Sequence, residues 1–330
     1  MLAFLLRRLA LKALLVVLAT SLAYLLASVA LDPAQAYRAQ NRSIPASVVA
    51  ANLNTYNVDP AVPLPERYAR WAGGIVLHGD FGKVFRTQET VTSEMGRRIG
   101  VSLRLLLPGT VLAVLLGVVV GAYGALRQYR PSDHAVTVVS FVLLSTPVFL
   151  LANALKYLGG LFNSAVGSTV LYSDGEYHTG PHAGLLERTQ HLVLPTLALM
   201  LGSAGIAYFS RYQRSAMLDV LGSDFLRTAR AKGLTRGQAF WRHGLRTALI
   251  PMATFFAFTF GLLVTGATFL EQVFNWNGMG QWAVDSISNA DVNSVAAITA
   301  FVAVMVLLSS VLADLAQALL DPRLRTGDHR

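Results

Sequence analysis

Five side chains able to capture a divalent cation crowd one stretch of this chain: Asp174, Glu176, His178, His182 and His191. Carboxylate oxygen and imidazole nitrogen are ordinary metal ligands, but a metal site needs them at fixed helical or hairpin spacing. Gly175, Gly180 and Pro181 interrupt the stretch and no such spacing exists, so it reads as a solvated loop and no metal is assigned to it. Catalysis finds no better foothold. No nucleophile stands with a base, and no carboxylate pair marks a defined site. The chain has no cysteine, which removes thiolate zinc, iron-sulfur and Cys-nucleophile chemistry together. No Gly-x-x-x-x-Gly-Lys-Ser/Thr loop is present to cradle phosphates, so neither ATP hydrolysis nor a bound cofactor is expected of this chain.

The segment with the most pointed pattern is polar and basic: Ser223-Asp224-Phe225-Leu226-Arg227-Thr228-Ala229-Arg230-Ala231-Lys232-Gly233. Ser223 or Asp224 suits an N-cap and Gly233 a left-handed C-terminal position, which predicts a short helix over 225–232 closed at both ends. Phe225, Leu226 and Ala229 would share one side, ringed by Arg227, Arg230 and Lys232. Two readings stand. Such a helix is a plug for a groove on a soluble partner, or it is a basic loop that only fixes topology.

Its position depends on the elements around it. Charged residues make up only 14% of the 330, against about 25% in soluble domains, and 54% are apolar. The apolar residues are gathered into blocks of the ~20 residues needed to cross about 30 Å of hydrocarbon. Six such blocks run over 13–31, 105–125, 135–155, 191–210, 247–270 and 294–313, and none contains Asp, Glu, Lys or Arg. Continuous apolar blocks, without alternation, predict helices rather than a barrel. The fold class is therefore all-α integral membrane, with six transmembrane helices. The first block follows Arg7, Arg8 and Lys12 like a signal peptide, but its length and lack of a cleavage site mark a retained helix.

Lys and Arg in short loops stay on the cytoplasmic side. With the N-terminus inside, Arg127, Arg130, the 211–246 loop and the C-terminal Arg323, Arg325 and Arg330 are all cytoplasmic, whereas the short outer loop 271–293 has no basic residue. The outer segment 32–100 carries eight basic residues, but a stretch that long crosses largely regardless of charge. The predicted organisation is a cytoplasmic N-terminus and first helix (1–31), a partly folded outer segment (32–100) with a helix near 66–76, and a five-helix core (101–330) holding the cytoplasmic loop. Both termini face the cytoplasm. The net charge of +9 serves topology and membrane lipid, because no basic cluster is interleaved with aromatics as nucleic-acid binding would require.

Residues 227–235, followed by Arg242-His243-Gly244-Leu245-Arg246-Thr247-Ala248-Leu249-Ile250-Pro251, resemble the signature loop of binding-protein-dependent ATP-binding-cassette importer permeases, in the dipeptide and oligopeptide branch. The likeness continues in order along almost the whole chain. It includes Glu66-Arg67-Tyr68 with Trp71, Gly79-Asp80-Phe81-Gly82, Arg97-Arg98-Ile99, Ser145-Thr146-Pro147, Leu194-Pro195, the run 271–280 and Leu320-Asp321-Pro322-Arg323. The general importer loop begins Glu-Ala-Ala, whereas the aligned triplet here is Arg227-Thr228-Ala229, so the acidic contact of the general form does not carry over.

The resemblance implies a type I importer permease bundle in a bacterial inner membrane, with 223–233 as the coupling helix that docks on an ATPase. It also implies a second homologous permease, two ATPase domains that hold ATP and magnesium, and an external peptide-binding protein that delivers the peptide. Nickel or another small solute is the alternative cargo in the same family. A stand-alone ion-coupled transporter is a weaker alternative, because the spans lack the intramembrane acids that ion coupling normally uses. Pro195 and Pro251 beside the loop are lever candidates, each open to the reading of a static kink, with Pro108 and Pro147 in neighbouring spans. Glu271 is either a gate or receptor-contact residue or an interfacial charge at a helix end. Gly117 and Gly121 form a small-x-x-x-small pair, suited to internal packing or to a permease interface.

Overall fold

The computed structural model describes residues 2–40, 45–85, 87–178, 180, 184–202, 205–245, 247–252, 255 and 267–320. Among them the regular structure is helical, with one isolated antiparallel bridge between Lys83 and Thr90. The helices are α1 (Leu2–Ala30), α2 (Pro33–Gln40), α3 (Ala46–Thr55), α4 (Leu64–His78), α5 (Val91–Leu126), α6 (Pro131–Ser145) and α7 (Val148–Val166). They continue with α8 (Leu185–Leu201), α9 (Ile206–Leu221), α10 (Asp224–Ala231), α11 (Arg236–Ala239), α12 (Thr268–Val273), α13 (Met279–Ser288) and α14 (Val292–Leu320).

Three helical stretches are long and apolar enough to span a bilayer alone: Ala10–Ala30, Val91–Leu126 and Val292–Leu315. They contain the expected blocks at 13–31 (to Ala30), 105–125 and 294–313. Two more expected blocks are interrupted. The block 135–155 breaks at Thr146-Pro147, where α6 and α7 meet at 104°. Proline has no amide hydrogen and disfavours helix at the residue before it, so the chain turns here despite unbroken hydropathy. Thr146 Oγ1 and Ser145 Oγ donate to the Val142 carbonyl at 2.7 and 3.0 Å, supplying partners at the broken end. The block 191–210 is likewise divided, between α8 and α9. The expected loop 159–190 is shorter than its polarity suggested, because α7 runs on to Val166 and α8 starts at Leu185. Most of the block 247–270 lies outside the described residues.

The chain divides into two compact units, Met1–Ser102 with Asn277–Leu307, and Leu103–Trp276 with Leu308–Arg330. In the first unit the outer segment is folded around its own aromatic core. Trp71 of α4 stacks on Tyr24 of α1 at 4.3 Å and meets Phe81 edge-on at 6.4 Å. Val49, Leu53, Tyr56, Val58, Phe85, Val292 and Ala296 complete that core. The helix expected near 66–76 is α4, whose end is closed by Gly79 at φ +66°.

In the second unit, small residues let helices touch. A Cβ on Gly117 would lie 2.5 Å from Phe209 Cβ, and one on Gly121 2.6 Å from the Ser210 carbonyl. The small-x-x-x-small pair of α5 is therefore spent on packing against α9 within the chain. At the foot of α6, Asp133 is held by Arg214 of α9 through two hydrogen bonds of 2.8 and 2.7 Å. That bidentate fork ties α6 to α9 just ahead of the basic segment.

Candidate coupling site

The basic segment forms a helix as its composition predicted, one residue earlier than expected: α10 spans Asp224–Ala231. Ser223 occupies the N-cap with extended backbone, but its hydroxyl donates 2.6 Å back to the Val220 carbonyl instead of capping the helix. Asp224 stands in the first turn, where its charge complements the helix dipole, and makes a 3.4 Å contact with Arg227. Lys232 closes the helix and Gly233 follows at φ +92°, a conformation glycine adopts without the Cβ penalty. Thr228 turns its hydroxyl onto the Asp224 carbonyl at 2.9 Å.

Phe225, Leu226 and Ala229 do not form the common outward knob that helical spacing suggested. Leu226 is 2% exposed, whereas Phe225 is 44% exposed. Leu226 is the anchor: a Cβ placed on Gly244 would meet its Cδ1 at 3.2 Å, as close as Val220 Cγ1 and next to Phe240 Cδ2 at 3.0 Å. Phe225 is left as the apolar tip, with Arg227, Arg230, Ala231 and Lys232 exposed around it and Ala229 half-buried.

What positions this helix is a second short element absent from the sequence expectations. Thr235 caps α11 with a complete capping box: its hydroxyl accepts from the Gln238 amide at 3.3 Å, and Gln238 Oε1 accepts from the Thr235 amide at 3.0 Å. The chain then takes one wide turn of π-helix, Phe240–Gly244. That turn buries Phe240 completely and leaves Trp241 51% exposed. The Thr-x-x-Gln spacing was a readable signal for α11; the wide turn has none. Phe240 packs with Met217, Ala248, Ala122 and Ala125, so the site is seated on α9 and α5.

The exposed basic residues here are largely unspent. Apart from the surface contact of Arg227 with Asp224, no carboxylate among the described residues pairs with Arg230, Lys232, Arg236 or Arg242. Of the lever candidates, Pro195 is buried inside α8 and Pro251 is exposed in the helical stretch 247–252. Pro147, by contrast, sits at the 104° bend. Glu271 is 1% exposed, in the first turn of α12. Arg246 and His182 lie outside the described residues.

The loop that carried candidate metal ligands is built differently. Asp174 pairs with Lys156 of α7 at 2.8 Å, and Lys156 also donates to the Val273 carbonyl at 2.9 Å. Glu176 bridges Arg104 at 2.5 Å and Arg188 at 3.4 Å. His191 stacks on Tyr172 at 4.3 Å, with Nδ1 2.9 Å from the Gly175 carbonyl. These side chains pin the loop to its neighbours instead of converging on a common point.

Residues 113–326, which include the basic segment, match the model of the binding-protein-dependent transport system inner membrane component. The chain belongs to this family. The inner membrane component is also similar over nearly its whole length to curated proteins. It is 50% identical to the oligopeptide transport system permease protein OppB of Mycobacterium tuberculosis strain H37Rv, over 98% of this chain and 99% of that protein. It is 35% identical to the oligopeptide transport system permease protein AppB of Bacillus subtilis, over 78% of this chain and 79% of that protein. The dipeptide transport system permease protein DppB of Escherichia coli K12 is 30% identical over 80% of this chain and 81% of that protein. This inner membrane component is all-α and multi-pass, and its α10 region falls inside the part that defines the family.

Proposed function

We propose that the chain is the permease subunit of an ATP-driven importer, carrying oligopeptides or dipeptides inward by alternating access. The observation that carries the reading is the end-to-end similarity to a peptide permease, 50% over 98% of the chain, combined with an anchored helix whose Arg230 and Lys232 pair with no carboxylate among the described residues. Energy enters from outside the polypeptide, since no phosphate loop is present. Two ATPase domains with their ATP and magnesium dock on residues 223–233, a second homologous permease completes the path, and an external receptor delivers the peptide. Both termini face the cytoplasm in this reading.

Phe225 is the residue that enters an ATPase groove, and the exposed Arg227, Arg230 and Lys232 surround it. Leu226 and Gly244 transmit the pull to α9 and the stretch that follows, with Pro195 and Pro251 as the bends that yield. The burial of Glu271 favours a gate role over receptor contact. Reconstitution tests the assignment. The purified chain, its companion permease, two ATPase domains and the receptor are placed in vesicles, and uptake of a labelled oligopeptide is followed. Uptake should require ATP and every component; sodium-driven uptake by the lone chain would overturn the reading.

A further inference from the structure

In the second unit the two interrupted blocks pair in nested order, α6 with α9 and α7 with α8. At the foot of α6, Asp133 accepts the two-bond fork of Arg214, and farther along the same helix the Phe141 ring lies under the Arg211 guanidinium at 4.0 Å. α7 is fitted to α8 instead. A Cβ on Gly159 would lie 2.9 Å from Leu194 Cδ1, and one on Gly202, at the end of α8, 3.1 Å from Val148 Cγ2. The 104° corner at Thr146-Pro147 therefore divides a helix tied to α9 from a helix packed on α8.

A pull on the basic segment reaches α9 first. Leu226 of α10 meets Val220 and Phe240 around Gly244, and Phe240 packs on Met217. Arg214 stands one turn before Met217 on the same helix. Its partner Asp133 has a side chain only 3% exposed, and Asp133 Oδ2 also accepts the Tyr129 amide at 3.0 Å, at φ +62° in the turn between α5 and α6. Gly124 of α5 leaves room for the pair, since a Cβ there would lie 3.1 Å from Asp133 Oδ1. Packed apolar helices slide past one another in small steps, whereas parting this fork would strand a buried carboxylate. The adjacent Gln213 donates to the Ala248 carbonyl at 3.2 Å. Neighbouring positions of α9 thus grip α6 on one side and the stretch after the basic segment on the other.

We propose that Asp133 and Arg214 are positioning residues for transport: their fork makes α6 and α9 move as one lever when the coupling segment is pulled, and the Thr146-Pro147 corner takes up that motion against α7 and α8. The inference rests on the permease reading and adds the route by which motion leaves the coupling segment. Lys156 of α7 in turn holds Asp174 and the Val273 carbonyl, so the corner stands between the basic segment and the loop 167–184.

The test uses the reconstituted complex of the full chain, companion permease, ATPase domains and receptor, with oligopeptide uptake and ATP hydrolysis read together. In Arg214→Gln, uptake per ATP hydrolysed should fall about tenfold while assembly and hydrolysis persist. Arg214→Lys keeps a charge-assisted bond without the fork and should recover uptake to within about threefold of the parent. The chain has no cysteine, so Val138→Cys and Tyr157→Cys, at exposed positions of α6 and α7, give a clean spin-label pair. Its distance should shift on trapping with ATP and vanadate in the parent and stay fixed in Arg214→Gln. Should Arg214→Gln fail to assemble, Asp133→Asn combined with Arg214→Gln leaves no buried charge unpaired and is held to the same results. Parent-like uptake per ATP in the charge-removing variant, or a label distance that does not shift in the parent, overturns the proposal. Loss of assembly in both charge-removing variants overturns it as well, since the fork would then serve the fold alone. Uptake by the parent complex without ATP would instead overturn the permease reading.

Discussion

Two charged regions of the second unit solve opposite problems. In the loop 167–184 each acidic side chain named above is spent inside the chain, Asp174 on Lys156 and Glu176 on Arg104 and Arg188. In residues 223–244 Arg227 makes only its surface contact with Asp224, Arg230, Lys232, Arg236 and Arg242 pair with no carboxylate among the described residues, and the apolar Leu226 and Phe240 do the anchoring. A segment that closes its own charges is held by its own protein, whereas one that leaves most of them open beside an exposed Phe225 and Trp241 is the surface on which the proposed docking rests. Surface ion pairs are individually weak, so what distinguishes the two is satisfaction rather than count.

The largest expected effects lie at the free end of this comparison. Gly233→Val forces a β-branched residue into φ +92°, although a Cβ there meets nothing within 4 Å. The strain is purely conformational, about 1–2 kcal/mol, and should unwind the end of α10 without disturbing insertion. Phe225→Asp removes the exposed tip. Both should cut ATP-driven uptake more than about tenfold while membrane abundance stays unchanged. Equal coupled uptake in variant and parent vesicles would erase the contrast between the two regions.

Neutralising the cations is a smaller step. Arg230→Gln with Lys232→Gln should weaken ATPase association about three- to tenfold, and the loss should shrink as salt is raised, because exposed charges are screened beyond about 8–10 Å. The same pair of substitutions should leave thermal stability in detergent within about 0.5 kcal/mol of the parent. A large stability loss would mean that these residues serve the fold after all.

On the closed side, Lys156→Met should leave the Val273 carbonyl without its Lys156 donor and Asp174 with only its hydrogen bond from Ser173. Hydrogen exchange at the Gly175 amide, which donates to the Phe274 carbonyl at 2.8 Å, should then accelerate about tenfold. Uptake should change less than for Phe225→Asp. If instead Gly175 stays protected, the loop is held by the His191 and Glu176 contacts alone.

The sequence made parts of this visible for physical reasons. A bilayer demands long apolar helices, so the blocks 13–31, 105–125 and 294–313 stood out from hydropathy, whereas the extension of the second helix back to Val91, into the expected outer segment, did not. Pro147 was already among the proline bend candidates, but the sharpness of its turn, 104°, was not legible, since hydropathy continues through it and proline kinks are tolerated in membrane helices. Spacing located α10 within one residue but placed Phe225 and Leu226 on the same side. Two adjacent apolar residues at the edge of a stripe are separated only by what packs on them, here Val220 and Phe240. Lys156 escaped notice because its helix was expected to end before it. Only the three-dimensional approach of Asp174 and the Val273 carbonyl gives that cation its role.

The finest test uses pH. Burial raises the Asp174 carboxyl, but the hydrogen bonds from Lys156 and Ser173 and the nearby positive charge outweigh it, leaving it below the usual aspartate value of 3.8. A carboxyl held lower in the folded state contributes stability above 3.8 that is lost as pH falls through its own lower value. Asp291, in the first unit, behaves oppositely. Its burial outweighs the hydrogen bonds from Ser294, Phe85 and Asn293 and lifts it above 3.8, so its contribution is complete below that value and lost as pH rises through the raised one. Carbon-13 carboxyl titration should place the two steps on opposite sides of 3.8, with Asp174 below. A spin label at the exposed His178 should stay immobile from neutral pH to about 4 and loosen only below it, whereas Asp174→Asn should be loose throughout. The amplitude should be small, under about 1 kcal/mol, because the Asp174 side chain is 59% exposed. A label that loosens near neutral pH in the parent chain would show that the loop is not held by its spent charges.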